Sequence, residues 1–336
     1  MQVHVNKQME LICGLLQCSN YVKIVPMQCE DTGNEFRKRN IDFLSQFKNE
    51  KVFQLLNELV NDKSAYFVWD APTDIALCMD EKYNFFGHNS KVFCGKLHKN
   101  PKVLEFLKEL KIFAEKIDYN TFFLQHKDYF LQITENHKKV VDVEVDKVFE
   151  FMTKFYMFKP KQEQYSMNLL LSVSWTGVGT QVDDKVYISD SLKFNKNKGW
   201  QFLHHDNNQE YIAHILHEFS HPVVNPLTDK QQINSSFIPD WPYICSKLGP
   251  GYAGFFKPYI NESLIRAIQI YFLEKAYNYP TGERILREER NGYLHTRALV
   301  KKLYDIEHNS YKKFEDKYVD LLKVLTKELD KDVFLQ

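Results

Sequence analysis

The segment YIAHILHEFSHPVVNPL, residues 211–227, limits the fold of this chain more than any other stretch. It contains His-Glu-Phe-Ser-His at residues 217–221, and a random chain of this composition would contain an HExxH pattern only about 0.03 times. The preceding Asn207 and Glu210 have the spacing of a capping box, in which an Asn caps a helix and a Glu lies three residues later. We therefore predict a helix that begins at this cap.

Pro222 indicates where this helix ends. It has no N–H to donate to the carbonyl oxygen of Glu218, and its ring disfavours helical geometry at the preceding residue. We therefore predict that the helix stops soon after His221, which gives it a length of about 14 residues.

The two faces of the predicted helix differ in character. At about 100° per residue, one narrow sector contains only apolar side chains: Ile212, Ile215, Leu216 and Phe219. The opposite face contains three histidines: His214, His217 and His221. Because imidazoles four residues apart project from one face and can converge on one ion, we predict that His217 and His221 bind a metal. Glu218, about 60° to the side, can reach a metal-bound water as a general base. The alternative is a pair of solvated histidines on a polar face.

A hydrolytic zinc site needs three protein ligands and an open position for water. A metzincin-type third ligand requires Gly at 224 and His at 227, where this chain has Val224 and Leu227. We predict Glu262 instead, because a carboxylate on the apolar segment YINESLIRAIQIYF is costly unless it is paired or bound to a cation. The alternative is an ordinary ion pair with Arg266. Four weaker candidates lie in loop-like stretches: His204, His205, Asp229 and Asp240.

Composition and charge narrow the class of protein. The 336 residues are 44% hydrophobic, which is enough for one large domain or two ordinary ones. Lys and Arg balance Asp and Glu at 44 each without long runs of like charge, so neither nucleic acid nor a membrane surface is an expected partner. The six cysteines form no CxxC pair, which is typical of free thiols in a reducing compartment. With no leader-like start and no apolar run of about 18 residues, we expect a cytoplasmic protein.

The secondary structure that the sequence predicts changes along the chain. Helical periodicity dominates up to about residue 160, whereas two β-rich runs between 166 and 191 predict a hairpin just before the motif. We predict a mainly helical N-terminal lobe at residues 1–160, which could pack as part of one domain. Residues 161–336 form the predicted α+β part that contains the motif.

The residues HEFSHPVVNP followed by NESLIRA resemble the gluzincin-type zinc metallopeptidases. They are more similar to an uncharacterised bacterial family of domains of unknown function that has a HEFSH helix and an Asn-Pro pair one turn on. The close resemblance centres on residues 166–275. It implies one zinc per chain and three ligands: His217, His221 and Glu262. It also implies Glu218 as general base and a thermolysin-like, zincin-like α+β core, with a small sheet over the motif helix and a strand edge such as 184–190 lining the cleft.

One position departs from the gluzincin pattern. Many gluzincins have an Asp four residues after the ligand Glu, which orients the first His, and here that position is Arg266. We expect the orienting group to come from elsewhere, such as Glu210. Alternatively, Arg266 faces the cleft and binds a substrate carboxylate or the developing oxyanion. We interpret His214 as a packing residue or a residue that supports the ligands. A phenol from a Tyr-rich stretch is a further candidate for oxyanion stabilisation, although packing is the favoured interpretation: Tyr243, Tyr252 and Tyr259.

The sequence therefore predicts a zinc-dependent hydrolase, most specifically a peptidase that acts on a peptide or protein substrate. The alternative is a catalytically weak or inactive zincin-fold module that binds a partner or uses a metal to hold two helices together. The two hypotheses differ in the importance of Glu218, because a structural ion does not need a general base.

Overall fold

The computed structural model describes the whole chain except residues 63–64, 66, 69, 88–96, 175–176, 196–198, 203–206, 233–234, 240, 249–255 and 327–336. The described residues form an α+β structure. Its helices, α1 to α14, are Lys7–Gln17, Tyr21–Ile24, Glu35–Ser45, Lys51–Asn61, Ala71–Ala76, Pro101–Lys116, Tyr119–Leu124, Lys127–Phe155, Asn208–Asp229, Trp241–Leu248, Phe256–Tyr277, Gly282–Arg290, Thr296–Glu307 and Phe314–Leu325. Its strands, β1 to β5, are Gln2–His4, Tyr165–Leu170, Gly177–Val182, Lys185–Asn195 and Gly199–Phe202.

The chain divides into two compact units, each built from two separate stretches. The first unit comprises Met1–Val143 and Lys161–Asp206, and the second comprises Glu144–Pro160 and Asn207–Gln336. Every strand that the structure describes belongs to the first unit, whereas α9, the motif helix, belongs to the second. This division differs from the predicted boundary after residue 160. Residues 161–206 group with the N-terminal stretch because β2 pairs in parallel with β1, at the very start of the chain.

The strands of the first unit form one mixed sheet with the order β1-β2-β4-β3, and β5 also pairs with β4. The β1–β2 and β2–β4 pairs are parallel, whereas β3 and β5 are antiparallel to β4. The connection between β3 and β4 is a tight turn that contains Asp183 at φ +55°. This turn confirms the hairpin predicted between residues 166 and 191.

A buried carboxylate joins the first helix to the sheet of the first unit. Glu10, on α1, is fully buried, and its two oxygens accept the backbone N–H groups of Leu171 at 2.6 Å and Ser172 at 3.0 Å. Asn40 from α3 donates to the backbone carbonyl of Glu10 at 2.9 Å and to the hydroxyl of Ser172 at 2.8 Å. Burial raises the pKa of Glu10 to about 7, although the hydrogen bonds from residues 171 and 172 act in the opposite direction.

The motif helix of the second unit begins as predicted. Asn207 caps it, and its side-chain oxygen accepts the backbone N–H of Glu210 at 2.9 Å. The predicted apolar stripe is fully buried: Ile212, Ile215, Leu216 and Phe219. Within the second unit α9 packs along α11, which is buried on most of its surface, and the ring of Phe219 stacks on that of Phe149 at 6.0 Å.

The predicted end of this helix near His221 is wrong, because α9 continues through Pro222 and Pro226 to Asp229. A proline removes one backbone hydrogen bond, but packing of the following turns can outweigh that loss. Here Thr228 is fully buried and hydrogen-bonds both Asn261 on α11 and the hydroxyl of Tyr318 on α14. Tertiary contacts therefore hold the last two turns in helical geometry.

The raised pKa of Glu10 predicts a pH dependence of stability. Between pH 4.5 and about 7 this group is protonated in the folded chain and ionised in the unfolded chain. The folded state thus binds more protons, and the free energy of unfolding should fall as the pH rises from 5 to 8, by up to about 3 kcal/mol. Burial also raises the pKa of Asp190, in the same unit, to about 7, so it contributes with the same sign.

Denaturant unfolding of the full-length protein at pH 5, 6, 7 and 8 tests this expectation. Glu10→Gln resembles the protonated acid, so it should stay close to wild type at pH 5 and lose a large part of the decline toward pH 8. Glu35→Gln, at an exposed position on α3, is the matched control and should retain the wild-type decline. A Glu10→Gln variant with the full wild-type decline would show that Glu10 does not titrate in this range.

Candidate metal centre

Two helices of the second unit bring a carboxylate and two imidazoles together. His217 and His221 lie on one face of α9, and Glu262 lies opposite them on α11. His217 Nε2 is 3.5 Å from Glu262 Oε2, and His221 Nε2 is 3.3 Å from Glu262 Oε1. The side chains are largely buried, with exposed fractions of 8%, 15% and 15% for residues 217, 221 and 262. The structure thus brings the three residues predicted as metal ligands to one point.

The distances within this group suit a small metal ion. When zinc has bonds of about 2.0–2.2 Å in tetrahedral geometry, its ligand atoms lie about 3.4 Å from one another. The nitrogen-to-oxygen distances are close to that spacing, with 3.5 Å from His217 Nε2 to one carboxylate oxygen of Glu262 and 3.3 Å from His221 Nε2 to the other. Two imidazole nitrogens and a carboxylate oxygen are also a common donor set for catalytic zinc. The residues present therefore fit the ion that the sequence predicts.

Glu218 lies beside the histidine pair. Its Oε2 is 3.8 Å from His221 Nε2, and its Oε1 is 3.6 Å from His214 Nδ1. Ligand atoms of His217, Glu218 and His221 all lie within 4.8 Å of one another, so Glu218 is a geometric alternative to Glu262 as the third ligand. The shorter contacts of Glu262 favour the latter. Glu218 lies beside the histidine pair and not opposite it, and this position suits proton transfer better than direct binding of the ion.

His214 supports this arrangement from one turn earlier. Its ring stacks on that of His217 with centroids 6.1 Å apart, and it contacts Glu218. These contacts agree with the interpretation of His214 as a packing or supporting residue.

Asn225 is a site residue that the sequence analysis missed. It is buried on α9, one turn after His221, and its Oδ1 lies 3.3 Å from His221 Nδ1. With that oxygen as acceptor, the ring hydrogen is on Nδ1 and the lone pair of Nε2 points toward Glu262. Burial lowers the pKa of His221 to about 4, against the charge of Glu262, so its imidazole is neutral near pH 7. A neutral, oriented imidazole is the form that binds metals.

Arg266 contacts two carboxylates. Its Nε donates to Glu262 Oε2 at 3.1 Å, and its Nη1 donates to Glu288 Oε2 at 3.0 Å, while the guanidinium lies 4.5 Å above the ring of Tyr293. The ion pair with Arg266, which we gave as the alternative role of Glu262, is therefore present, and the same carboxylate also contacts the histidine pair. Burial alone would raise the pKa of Glu262, but its interactions with His217 and Arg266 lower it overall.

The expectation that Glu210 orients a motif histidine is wrong. Its carboxylate accepts the hydroxyl of Tyr279 at 3.0 Å and pairs with Arg284 at 3.4 Å. Glu210 lies near the N-terminus of α9, two turns before His217, so its side chain bonds residues around that end instead.

The weaker candidates lie away from the histidine pair or outside the described residues. Asp229 is exposed at the end of α9 and pairs with Lys257 at 3.6 Å. Tyr243 is exposed, whereas Tyr259 is buried with its hydroxyl 3.0 Å from His295 Nδ1, which favours packing over oxyanion stabilisation. The remaining candidates fall outside the described residues: His204, His205, Asp240 and Tyr252.

Comparison with known proteins supports the resemblance only at the level of a family without a known function. Residues 1–324 match the family described as Domain of unknown function (DUF4932), well beyond the predicted range of 166–275. No curated protein and no solved structure has significant similarity to the chain. Across the described ranges, none of the helices combines the length and the apolar character that crossing a membrane requires. Because the match covers almost the entire chain, the protein belongs to the DUF4932 family of domains of unknown function.

Proposed function

We propose that this protein is a zinc-dependent hydrolase, most specifically a peptidase, with one zinc per chain held by His217, His221 and Glu262. The observation that carries the proposal is the approach of the two oxygens of Glu262 to the two Nε2 atoms, at 3.5 and 3.3 Å. Each distance is close to the spacing of about 3.4 Å between ligand atoms in tetrahedral zinc sites, and two imidazoles with a carboxylate are a common donor set for zinc.

The electrostatics of the group support a cation at this point. A neutral imidazole with its hydrogen on Nδ1 presents a lone pair from Nε2, as the contact of His221 with Asn225 indicates. A carboxylate oxygen of Glu262 faces that lone pair at 3.3 Å. Two acceptors that face each other in a largely buried site repel, and a cation that both can bind converts the repulsion into attraction.

The surrounding residues suit hydrolysis. A zinc ion held by these three residues would supply Lewis-acid activation of a water molecule and of a carbonyl group. Glu218, beside the ligands and 5% exposed, is placed to accept the proton of the attacking water and to deliver it to the leaving amine. His214 Nδ1 lies 3.6 Å from Glu218 Oε1, and this contact limits the positions that the carboxylate can adopt.

A non-enzymatic role is the second candidate. The proposed ligands come from α9 and α11, two helices that pack along each other in the second unit. An ion shared between them would stabilise that packing whether or not a substrate binds. A module of this kind needs His217, His221 and Glu262 but not Glu218.

We expect the purified protein to contain about one zinc per chain, because the ligands form a single three-residue group. Elemental analysis after removal of loosely bound metal is the measurement. His217→Ala should lose most of this zinc, whereas His308→Ala, at an exposed position after α13, is the matched control and should retain it. Zinc content that is negligible after incubation with zinc, or the same in His217→Ala, would end the zinc proposal.

Glu262→Gln should weaken zinc binding by at least an order of magnitude, because loss of a ligand should exceed the 10- to 100-fold effects of residues that support ligands. Competition with a chelator measures the affinity. Glu283→Gln, at an exposed position on α12, is the control. Unchanged affinity in Glu262→Gln would move the third ligand to Glu218, and Glu218→Gln should then lose zinc.

The Glu218→Gln variant separates the enzyme from the binding module. The change is nearly isosteric and leaves the three proposed ligands in place, so fold and zinc content should be preserved. Peptide hydrolysis should fall by at least about 100-fold, because general acid–base assistance is typically worth 10²–10⁴-fold. A mixed peptide library analysed by mass spectrometry, with chelator-treated protein as control, provides the assay. Cleavage that survives the mutation would point to another base, and no cleavage by the zinc-loaded wild type would favour the module.

A further inference from the structure

We infer that Glu288, on α12, is a positioning residue for the metal site: it holds Arg266 against one oxygen of Glu262 and thereby fixes how this carboxylate meets the histidine pair. The inference rests on the proposed zinc site, and it concerns a residue that lies 26 positions after Glu262 in the sequence.

Arg266 is held from three directions. It donates to Glu262 at 3.1 Å and to Glu288 at 3.0 Å, and its guanidinium lies 4.5 Å above the ring of Tyr293. A guanidinium is a planar fork whose donors point in fixed directions, so binding one carboxylate orients the donors toward the other. The position of Glu288 therefore determines which part of Glu262 the arginine can reach.

This contact gives the two oxygens of Glu262 different neighbours. Oε2 accepts from Arg266 Nε and lies 3.5 Å from His217 Nε2, whereas Oε1 lies 3.3 Å from His221 Nε2. A free glutamate can rotate about its terminal torsion and bind an ion through either oxygen or both. With Oε2 held by Arg266 beside His217, the carboxylate keeps Oε1 directed at His221.

Glu288 is well suited to act as a fixed anchor. Its side chain is only 5% exposed, and a buried carboxylate must be paired to be tolerated. Its neighbour one turn earlier on α12, Arg284, is also buried and pairs with Glu210 on α9 at 3.4 Å. Helix α12 thus contacts both ligand-bearing helices through buried charged residues. Its Arg284 pairs with α9, and its Glu288 pairs with Arg266 on α11.

Zinc affinity and the absorption spectrum of the cobalt-substituted protein test the inference on the full chain. Glu288→Gln should weaken zinc binding by about 10- to 100-fold and alter the cobalt spectrum, because Glu262 would no longer be held in one orientation. Glu289→Gln is the matched control: this next residue of the same helix makes a surface pair with Arg297 at 3.2 Å and should behave as wild type.

A double-mutant cycle asks whether the two residues act as one unit. Arg266→Lys keeps the positive charge but cannot contact both carboxylates in the same planar fork, so it should weaken zinc binding to a similar extent. The double variant should bind zinc no more weakly than either single variant, because both changes remove the same restraint on Glu262. Fully additive losses would overturn the inference.

The remaining outcomes are also decisive. If Glu288→Gln lowers the thermal stability of the zinc-free protein but leaves zinc affinity and the cobalt spectrum unchanged, Glu288 is a structural brace and the inference is wrong. If that variant does not fold, Arg266→Lys gives the same test with the same two readouts. Wild-type protein that binds no zinc would remove the proposed function and the inference together, whereas zinc binding that is insensitive to both variants would remove the inference alone.

Discussion

Glu262 contacts His217 and His221 where α9 packs on α11, and the roles of the neighbouring polar residues follow from this contact. Three polar side chains in a largely buried place carry more lone pairs than they can satisfy among themselves. Each therefore needs further partners. His221 uses Asn225 on its own helix, and Glu262 uses Arg266, one turn further along α11. The proposed zinc ion would be a further partner, bound by the lone pairs of all three side chains.

The compensating groups come from different parts of the second unit. Arg266 introduces a positive charge, and Glu288 on α12 balances it. Arg284, on the same helix as Glu288, pairs with Glu210 at the beginning of α9. Because an unpaired buried charge is strongly unfavourable, these pairs allow only a narrow range of positions for the helices that bear them. Such restraint agrees with the proposed metal site, whose ligands would have to be in place before an ion binds.

The continuation of α9 beyond His221 has a direct consequence for the site. Two prolines interrupt its backbone hydrogen bonds, and contacts of Thr228 with α11 and α14 hold the helix together beyond them. Because the helix continues, Asn225 lies about one turn after His221 on the same face and can orient its ring. A helix that ended at Pro222 would leave the ring nitrogen of residue 221 without this partner.

The sequence by itself determined the features that depend on near neighbours. The cap at Asn207, the apolar stripe and the histidine pair of α9 follow from helical spacing, and the cost of a carboxylate on an apolar helix singled out Glu262. Only the tertiary structure decided the rest. The sequence did not reveal the contact of Asn225 with His221, because packing outweighed the local effect of Pro222. It did not reveal the contact of Glu288 with Arg266, because these residues lie on helices that are separate in the chain. The grouping of residues 161–206 with the N-terminal stretch likewise depends on the pairing of β1 with β2. These two strands are separated by more than half of the residues of the first unit. Local spacing acts within one helix, whereas these contacts exist only once distant segments have packed together.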